Sequence, residues 1–302
     1  MRTDNNFRDA AVDWEETGKL LKDVMNNEQL TVNNEERRVG NGDRTGDKKE
    51  LNLVEKSANA ENAIIITQGF IGSTSDNEST TLGREGSDYS AAIFANLLNA
   101  ESLTIWKDVE GVMSADPKSF FDAEFISSLS YREVIEMAYY GAQVIHPKTI
   151  KPLQNKNIPL LVKSFINPEK PGTIISRKSE KYLPPIKIIK PKQVLIQLQS
   201  QDFSFVGEKP LSQLYGIFAA LHVAPNLLQT GAITIQVCLD DHPEKIDQLA
   251  AAASNLFDVQ LQKGLTLLTI RHFTEEILDY MLQGKTVELM QKTKETVQVV
   301  YQ

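Results

Sequence analysis

The sequence predicts an α/β region followed by an α+β region, and three observations carry that prediction. From about residue 63 to residue 176, strand-like and helix-like segments alternate, the pattern of a largely parallel sheet covered by helices. Residues 181–192 (KYLPPIKIIKPK) then interrupt the alternation with three prolines and four lysines, which sets a domain boundary there. Beyond it, two half-similar β-α-β-β units in tandem suggest small α+β sandwiches.

The elements follow in order. The opening MRTDNNFRDAAVDW is polar and acidic, without the apolar core of a signal peptide, and no later apolar run approaches membrane-spanning length. No membrane role and a cytoplasmic home are the expectation. Residues 25–62 are rich in Asn, Glu, Lys, Arg and Gly with isolated aliphatics, and read as a solvated linker or mobile insertion. The β-branched run Ile64, Ile65 and Ile66 reads as a buried strand, and residues 89–98 (YSAAIFANLL) as a helix. SLTIWKD at 102–108 is a strand leading into a loop through Pro117. Helices are predicted at 131–139 and near 148–154, and a strand at 158–165 (IPLLVKSF). After the boundary come a strand at 193–198, an amphipathic helix at 211–221, a strand at 232–239 and an Ala-rich helix at 243–256. A strand at 265–273, the helix EEILDYML and two strands, KTVELMQ and ETVQVVYQ, complete the chain.

At 302 residues and 41% hydrophobic, the chain is long enough for two domains or one large one. A net charge of −8 without any long basic block gives no electrostatic case for nucleic acid, so small-molecule chemistry is favoured. Cys238 is the only cysteine and lies in the apolar run ITIQVCLD, where it reads as a small buried hydrophobe rather than a nucleophile. His146, His222, His242 and His272 are far apart and lack zinc-ligand spacing, so no metal held by protein alone is expected.

The most informative segment is residues 80–88, TTLGREGSD, between a β-like run and a helical one. Helix entrances present N–H groups without internal partners and a dipole that favours anions, so phosphate or carboxylate is the expected guest. Arg84 adds a bidentate clamp, worth about 1.5–3 kcal/mol as a charge-assisted bond. A surface turn capped by Ser87 or Asp88 fits the same spacing. Two further segments stand out. In 105–118 (IWKDVEGVMSADPK), Asp108 ends a strand and Gly111 follows in a turn, which suits a ligand outside the carboxyl ends of a sheet. An ordinary strand exit with a turn at Asp116-Pro117 suits it as well. In 140–147 (YGAQVIHP), Gly141 is placed to end a helix.

Taken in order, TQGFIGSTSDNESTTLGREGSD, IWKDVEGVMSADPK, LSYREVIEMAYYGAQVIHP and IPLLVKSFINPEKPGTII resemble the aspartokinases of the amino-acid kinase family. The resemblance covers about residues 63–176, and the opening RTDNNFRDAAVDW also looks like a family segment. It implies an amino-acid-kinase parallel-sheet sandwich over residues 1–182 and ATP-dependent phosphorylation of L-aspartate to 4-phospho-L-aspartate, towards lysine, threonine and methionine. Carried over residue by residue, it implies an aspartate pocket at Arg84, Glu85, Gly86 and Ser87, with Arg84 on the α-carboxylate and Asp88 orienting polar groups at the transfer site. Nucleotide would meet Lys107, Asp108, Met113, Asp116, Lys118 and Gln143, and Mg2+ would arrive with the ATP phosphates.

The pattern departs from the family at several points. GREGSD stands where GRGGSD is usual, so Glu85 brings a carboxylate beside an anionic substrate. Met113 replaces a common aromatic, Lys118 a common Arg, and Gln143 a lysine that often contacts nucleotide, a loss of charge. The family's strand and KFGGTS-type phosphate loop have no counterpart in the sequence, so the chain is expected to carry an incomplete kinase domain with little or no activity by itself. Residues 183–302 resemble the tandem ferredoxin-like ACT domains of aspartokinases. That likeness implies an amino-acid effector, lysine first and threonine second, at Pro225, Asn226, Thr230 and Gly231, although Asn226 and Gly231 also suit plain turn chemistry. It also implies a homodimer through the ACT domains. The alternative from another class is a non-catalytic regulatory subunit that binds an amino-acid effector.

Overall fold

The structure, a computed structural model, describes residues 1–6, 8–26, 64–143, 145–178, 180 and 182–302. The insertion expected at 25–62 lies outside the described residues except for Met25 and Asn26, which end a helix. In chain order the elements begin with α1 (Trp14–Asn26), β1 (Ile71–Ser73), β2 (Ser79–Thr81), α2 (Gly86–Leu97), β3 (Leu103–Lys107), β4 (Val112–Met113), β5 (Phe125–Ile126), β6 (Ser128–Ser130) and α3 (Tyr131–Tyr139). They continue with α4 (Pro147–Lys156), β7 (Leu160–Ser164), β8 (Thr173–Ser176), β9 (Ile186–Ser200), α5 (Glu208–Ala220), β10 (Leu227–Thr230) and β11 (Thr234–Asp240). The last are α6 (Pro243–Ala253), β12 (Phe257–Arg271), α7 (Glu275–Leu282), β13 (Val287–Lys292) and β14 (Thr296–Tyr301).

Two compact units divide the chain: Met1–Leu103 with Lys148–Pro159, and Thr104–Pro147 with Leu160–Gln302. In the first, β1 and β2 form an antiparallel hairpin with Ile71 opposite Thr81. Helix α2 buries Gly86, Ser90, Ala92, Ile93 and Ala95, which spread over more than half of its circumference, so the helix is packed on more than one side. Asn96 donates from Nδ2 to the Pro152 carbonyl at 2.8 Å and so ties α2 to α4. Pro152 sits inside α4, where it is buried with Ile150 and Leu153.

The strand expected at Ile64, Ile65 and Ile66 is not formed: these residues lie outside any strand, and Ile64 is 73% exposed. β-branched side chains favour a strand when a pleated neighbour is there to pack on, and no strand among the described residues pairs with this run.

The second unit holds two larger sheets. One runs in the order β3-β7-β8-β6 and contains the expected parallel pairing, β6 with β8, beside an antiparallel pair, β7 with β8. The other is a single six-stranded sheet in the order β10-β11-β9-β12-β14-β13, antiparallel throughout. The two half-similar units of the sequence are therefore joined into one sheet, because β9 and β12 are each 15 residues long and pair along nearly their whole lengths. β9 starts at Ile186, inside the Pro- and Lys-rich stretch read as a boundary; its Pro191 is exposed and is followed by Lys192 at φ 56. Proline without an N–H and a left-handed residue mark a local irregularity rather than an end. Alternation sorts the core: Val194, Ile196 and Leu198 pack with Leu214, Phe218, Ile246 and Leu249 of α5 and α6, while Leu195 turns to the opposite face with Cys238 and Val300.

Candidate functional site

Residues 82–85 form the bend between the β1–β2 hairpin and α2; the helix entrance lies where the sequence places it, while the strand before it is this hairpin and not the run Ile64, Ile65 and Ile66. Leu82 is fully buried and its N–H donates to the Phe70 carbonyl at 2.9 Å. Gly83 takes φ +78 beneath Asp9, where a Cβ would stand 2.7 Å from Oδ1. Gly86 opens α2 so close to Phe70 that a Cβ would come within 2.8 Å of the Phe70 Cβ, and Ser87 presses equally on Gly69. Ser90 Oγ accepts from the Phe70 N–H at 2.8 Å and donates to the Gly86 carbonyl at 2.8 Å. The bend is thus packed on three sides, and its course is fixed by the absence of side chains at these glycines.

The capping reading fails here: the N-cap of α2 is Glu85, in the left-handed region at φ 54 and ψ 31, and it makes no side-chain cap bond. Ser87 and Asp88 fall within the first helical turn instead. Arg84 and Ser87 are exposed, Glu85 and Asp88 half-buried and Gly86 buried. An uncapped helix start beside an exposed guanidinium is suited to a carboxylate or phosphate.

The residues assigned to nucleotide lie in the second unit. Lys107 is the last residue of β3, its carbonyl accepting from Phe165 N–H at 2.9 Å, and Asp108 follows it, exposed. Met113 pairs with Phe125 across the β4–β5 ribbon. Asp116 opens a turn in which the Lys118 N–H donates to Oδ1 at 2.9 Å, so the Asp-Pro turn reading is the local geometry. Gln143 is exposed, two residues beyond Gly141, which carries φ +108 after α3. Thr173 pins the ribbon: Oγ1 accepts from Val112 N–H at 2.8 Å and donates to the Ile126 carbonyl at 2.6 Å.

Lys187 was not singled out from the sequence, yet it braces this turn. Its N–H donates to the Ser114 carbonyl at 2.7 Å and its Nζ to Asp122 Oδ2 at 2.6 Å, a bond that holds the Asp122 carboxyl below its ordinary range. Nor did the sequence indicate the clamp of Arg271 on α3. Arg271 donates from Nε to Glu133 Oε1 at 2.6 Å and from Nη2 to Oε2 at 2.8 Å, with both side chains nearly buried. Burial pushes the Glu133 carboxyl up, but the hydrogen bonds from Arg271 and the nearby His272 imidazole, its Nε2 3.1 Å away, outweigh it and hold the pKa at about 2. No periodicity reports such a pair; a charged Arg in the apolar run LTLLTIRHF was the available signal.

The four residues assigned to effector are not brought together. Pro225 and Asn226 stand just before β10, whereas Thr230 ends it and Gly231 lies in the turn to β11, donating its N–H to the Thr234 carbonyl at 2.7 Å. Asn226 joins a polar network. Its Oδ1 accepts from Lys190 Nζ at 2.7 Å, and its Nδ2 donates to Gln193 Oε1 at 2.8 Å and to Asp240 Oδ1 at 3.0 Å. Gln193 also donates to Asp240 Oδ1 at 2.8 Å. Burial raises the Asp240 pKa, yet these bonds and the charge of Lys190 leave it lowered. Beside the network opens a cavity of about 440 Å³ whose lining includes Lys190, His222, Asn226, Asp240, His242 and Lys245. Cys238 Sγ donates to the same Gln193 Oε1 at 3.4 Å; the residue is fully buried, and burial pushes its thiol up to about 12, which makes it inert as a nucleophile.

Among the described residues, no group of three or more His, Cys, Asp or Glu side chains gathers to hold a metal, and no helix is long and apolar enough to cross a membrane.

Comparison with known proteins gives the geometry its context. Residues 14–164, half of the chain, match the profile of the amino acid kinase family. Lysine-sensitive aspartokinase 3 of Escherichia coli is 33% identical over 217 residues, covering 68% of this chain and 48% of its own. The chloroplastic bifunctional aspartokinase/homoserine dehydrogenase 2 of Arabidopsis thaliana is 36% identical over 207 residues, covering 67% of this chain and 23% of its own. The chain thus spans less than half the length of these relatives. The crystal structure of E. coli aspartokinase III in complex with aspartate and ADP superposes on 99% of this chain and 64% of its own with a TM-score of 0.71, at 26% identity. Family profile, aspartokinase relatives and shared fold agree, and the chain belongs to the amino acid kinase family.

Proposed function

We propose that this chain serves aspartate phosphorylation: an oxygen of the L-aspartate side-chain carboxylate attacks the γ-phosphorus of ATP, and ADP leaves. The observation that carries the reading is the glycine-tight bend at residues 83–86, which sets Arg84 beside the uncapped start of α2. In this reading Arg84 binds the substrate α-carboxylate, Glu85, Gly86 and Ser87 line its pocket, and Asp88 orients polar groups at the transfer site. Lys107, Asp108, Met113, Asp116, Lys118 and Gln143 serve the nucleotide. Mg2+ travels with the ATP phosphates, held mostly by them and by water. A loose phosphoryl-transfer transition state asks for positioning and charge neutralisation, roles to which the glycine-bend donors and Arg84 are suited. The solved aspartokinase III bound to aspartate and ADP supports both ligands.

The six-stranded antiparallel sheet favours a regulatory role beside the kinase role, as paired ACT-like domains that take an amino-acid effector and dimerise through an outer strand, β10 or β13. Lysine is the first candidate, supported by the lysine sensitivity in the name of the E. coli relative, and threonine the second. Calorimetric titration of aspartate tests the catalytic reading. Arg84→Ala should weaken aspartate at least about tenfold, or 1.4 kcal/mol, while sparing ATP binding; equal aspartate affinity in the variant overturns the assignment.

A further inference from the structure

The cavity before β10 shares Pro225 and Asn226 with the effector reading, but most of its polar lining is used by neither that reading nor the kinase reading. Two ammonium groups, Lys190 and Lys245, and two imidazoles, His222 and His242, face it with a single carboxylate, Asp240. That carboxylate is already engaged, since its Oδ1 accepts from both Gln193 and Asn226. Lys190 is held in place: its stem passes under Gly141, where a Cβ would stand 2.5 Å from Cε, and one of its protons goes to Asn226 Oδ1. Lys245 donates to the His222 carbonyl at 2.8 Å. An ammonium group carries three donors and no acceptor, so both retain protons for a guest. The start of α6, where no side chain caps the helix at His242, adds to the same field.

We propose that this cavity binds a small dianion, an organic phosphate or a dicarboxylate, as a regulatory ligand. Its oxygens accept from Lys190 and Lys245, and the carbon skeleton rests on Val223, Pro225 and Ile246. At about 440 Å³ the space falls within the range of ligand sites, roughly 300–1,000 Å³. A cationic amino acid is disfavoured because its side-chain ammonium would meet two of its own kind with only Asp240 to offset them. The proposal goes beyond the amino-acid effector reading: it gives Pro225 and Asn226 to a dianion and leaves Thr230 and Gly231, at the far end of β10, outside this site.

The test is calorimetric titration of the full 302-residue chain at constant ionic strength with glycerol 3-phosphate, succinate and L-lysine in turn. Saturable binding of glycerol 3-phosphate or succinate is expected with Kd below about 1 mM, the tighter of the two identifying the source. The double variant Lys190→Gln/Lys245→Gln should weaken it at least about tenfold, whereas Lys209→Gln, an exposed lysine at the start of α5 outside the lining, should leave it unchanged. Should the double variant melt early, the exposed His242→Gln replaces it and is expected to weaken binding about threefold or more. No saturable heat from either dianion, unchanged affinity in the charge variants, or L-lysine binding lost with Lys190 and Lys245 each overturns the proposal. The aspartate titration with Arg84→Ala reports separately on the catalytic reading.

Discussion

At the scale of single residues, Glu85 is the informative departure. The loop reads GREGSD where a second glycine is usual, and the structure gives the reason glycine is favoured: this residue is the N-cap of α2 with φ 54 and ψ 31. A left-handed conformation costs a residue with a Cβ roughly 1–2 kcal/mol, while glycine enters it freely. Glu85→Gly is therefore expected to raise stability by about 1 kcal/mol, some of the gain being lost to the greater freedom of glycine in the unfolded chain. Thermal melts of the two proteins check this, and a lower melting temperature for Glu85→Gly sinks the backbone account. The position of the loop was legible in the sequence because glycines, a guanidinium and a helical run mark a helix entrance by themselves. Its cap was not, since Ser87 and Asp88 are better capping residues than Glu85. Close packing at Gly69 and Phe70, which no local rule reads, sets the helix start earlier.

At the scale of elements, α3 and Gly141 show what a local pattern can and cannot report. The helix at 131–139 is found as the apolar spacing predicts, and Ser130 caps it by accepting from Glu133 N–H at 3.0 Å. Gly141 was read as a helix terminator, which explains its φ of +108 but only half of its role. The other half is that it leaves room for the stem of Lys190 on β9. Gly141→Ala adds both a strained φ and a steric contact, so a loss of about 1–3 kcal/mol is expected. A titrant of the cavity beside Lys190 should weaken in parallel. Chemical denaturation with and without that ligand measures both effects, and a neutral Gly141→Ala would show that the stem moves aside without cost. Ile64, Ile65 and Ile66 teach the converse, because their propensity was clear and their pairing was not. Strand pairing depends on distant neighbours, which is also why β9 and β12 run well beyond the short strands read from apolar runs.

At the scale of the whole molecule, the second unit holds two sheets of different kinds, and the ion pair between α3 and β12 joins the segment after one to the core of the other. Arg271 is bidentate on Glu133, donates to Thr296 Oγ1 of β14 at 2.9 Å, and has His272 Nε2 3.1 Å from the same carboxylate. Removing one partner of such a buried pair leaves an uncompensated charge, so Arg271→Met is expected to destabilise the unit by about 3–5 kcal/mol. Replacing both partners by apolar residues of similar size should cost much less. The same pair predicts an acid response. The folded pKa of Glu133, about 2, lies below its ordinary value of 4.5, so its contribution is fully present above about pH 4.5 and is lost as pH falls towards 2. At 1.36 kcal/mol per unit that contribution is about 3 kcal/mol. Denaturant unfolding followed from pH 7 to pH 2.5 should show stability falling mainly below pH 4.5 in the parent, and much less in Glu133→Gln, which starts lower. If the two proteins lose stability in parallel through that window, the acid response belongs to other carboxylates and the clamp does not govern how the unit holds together.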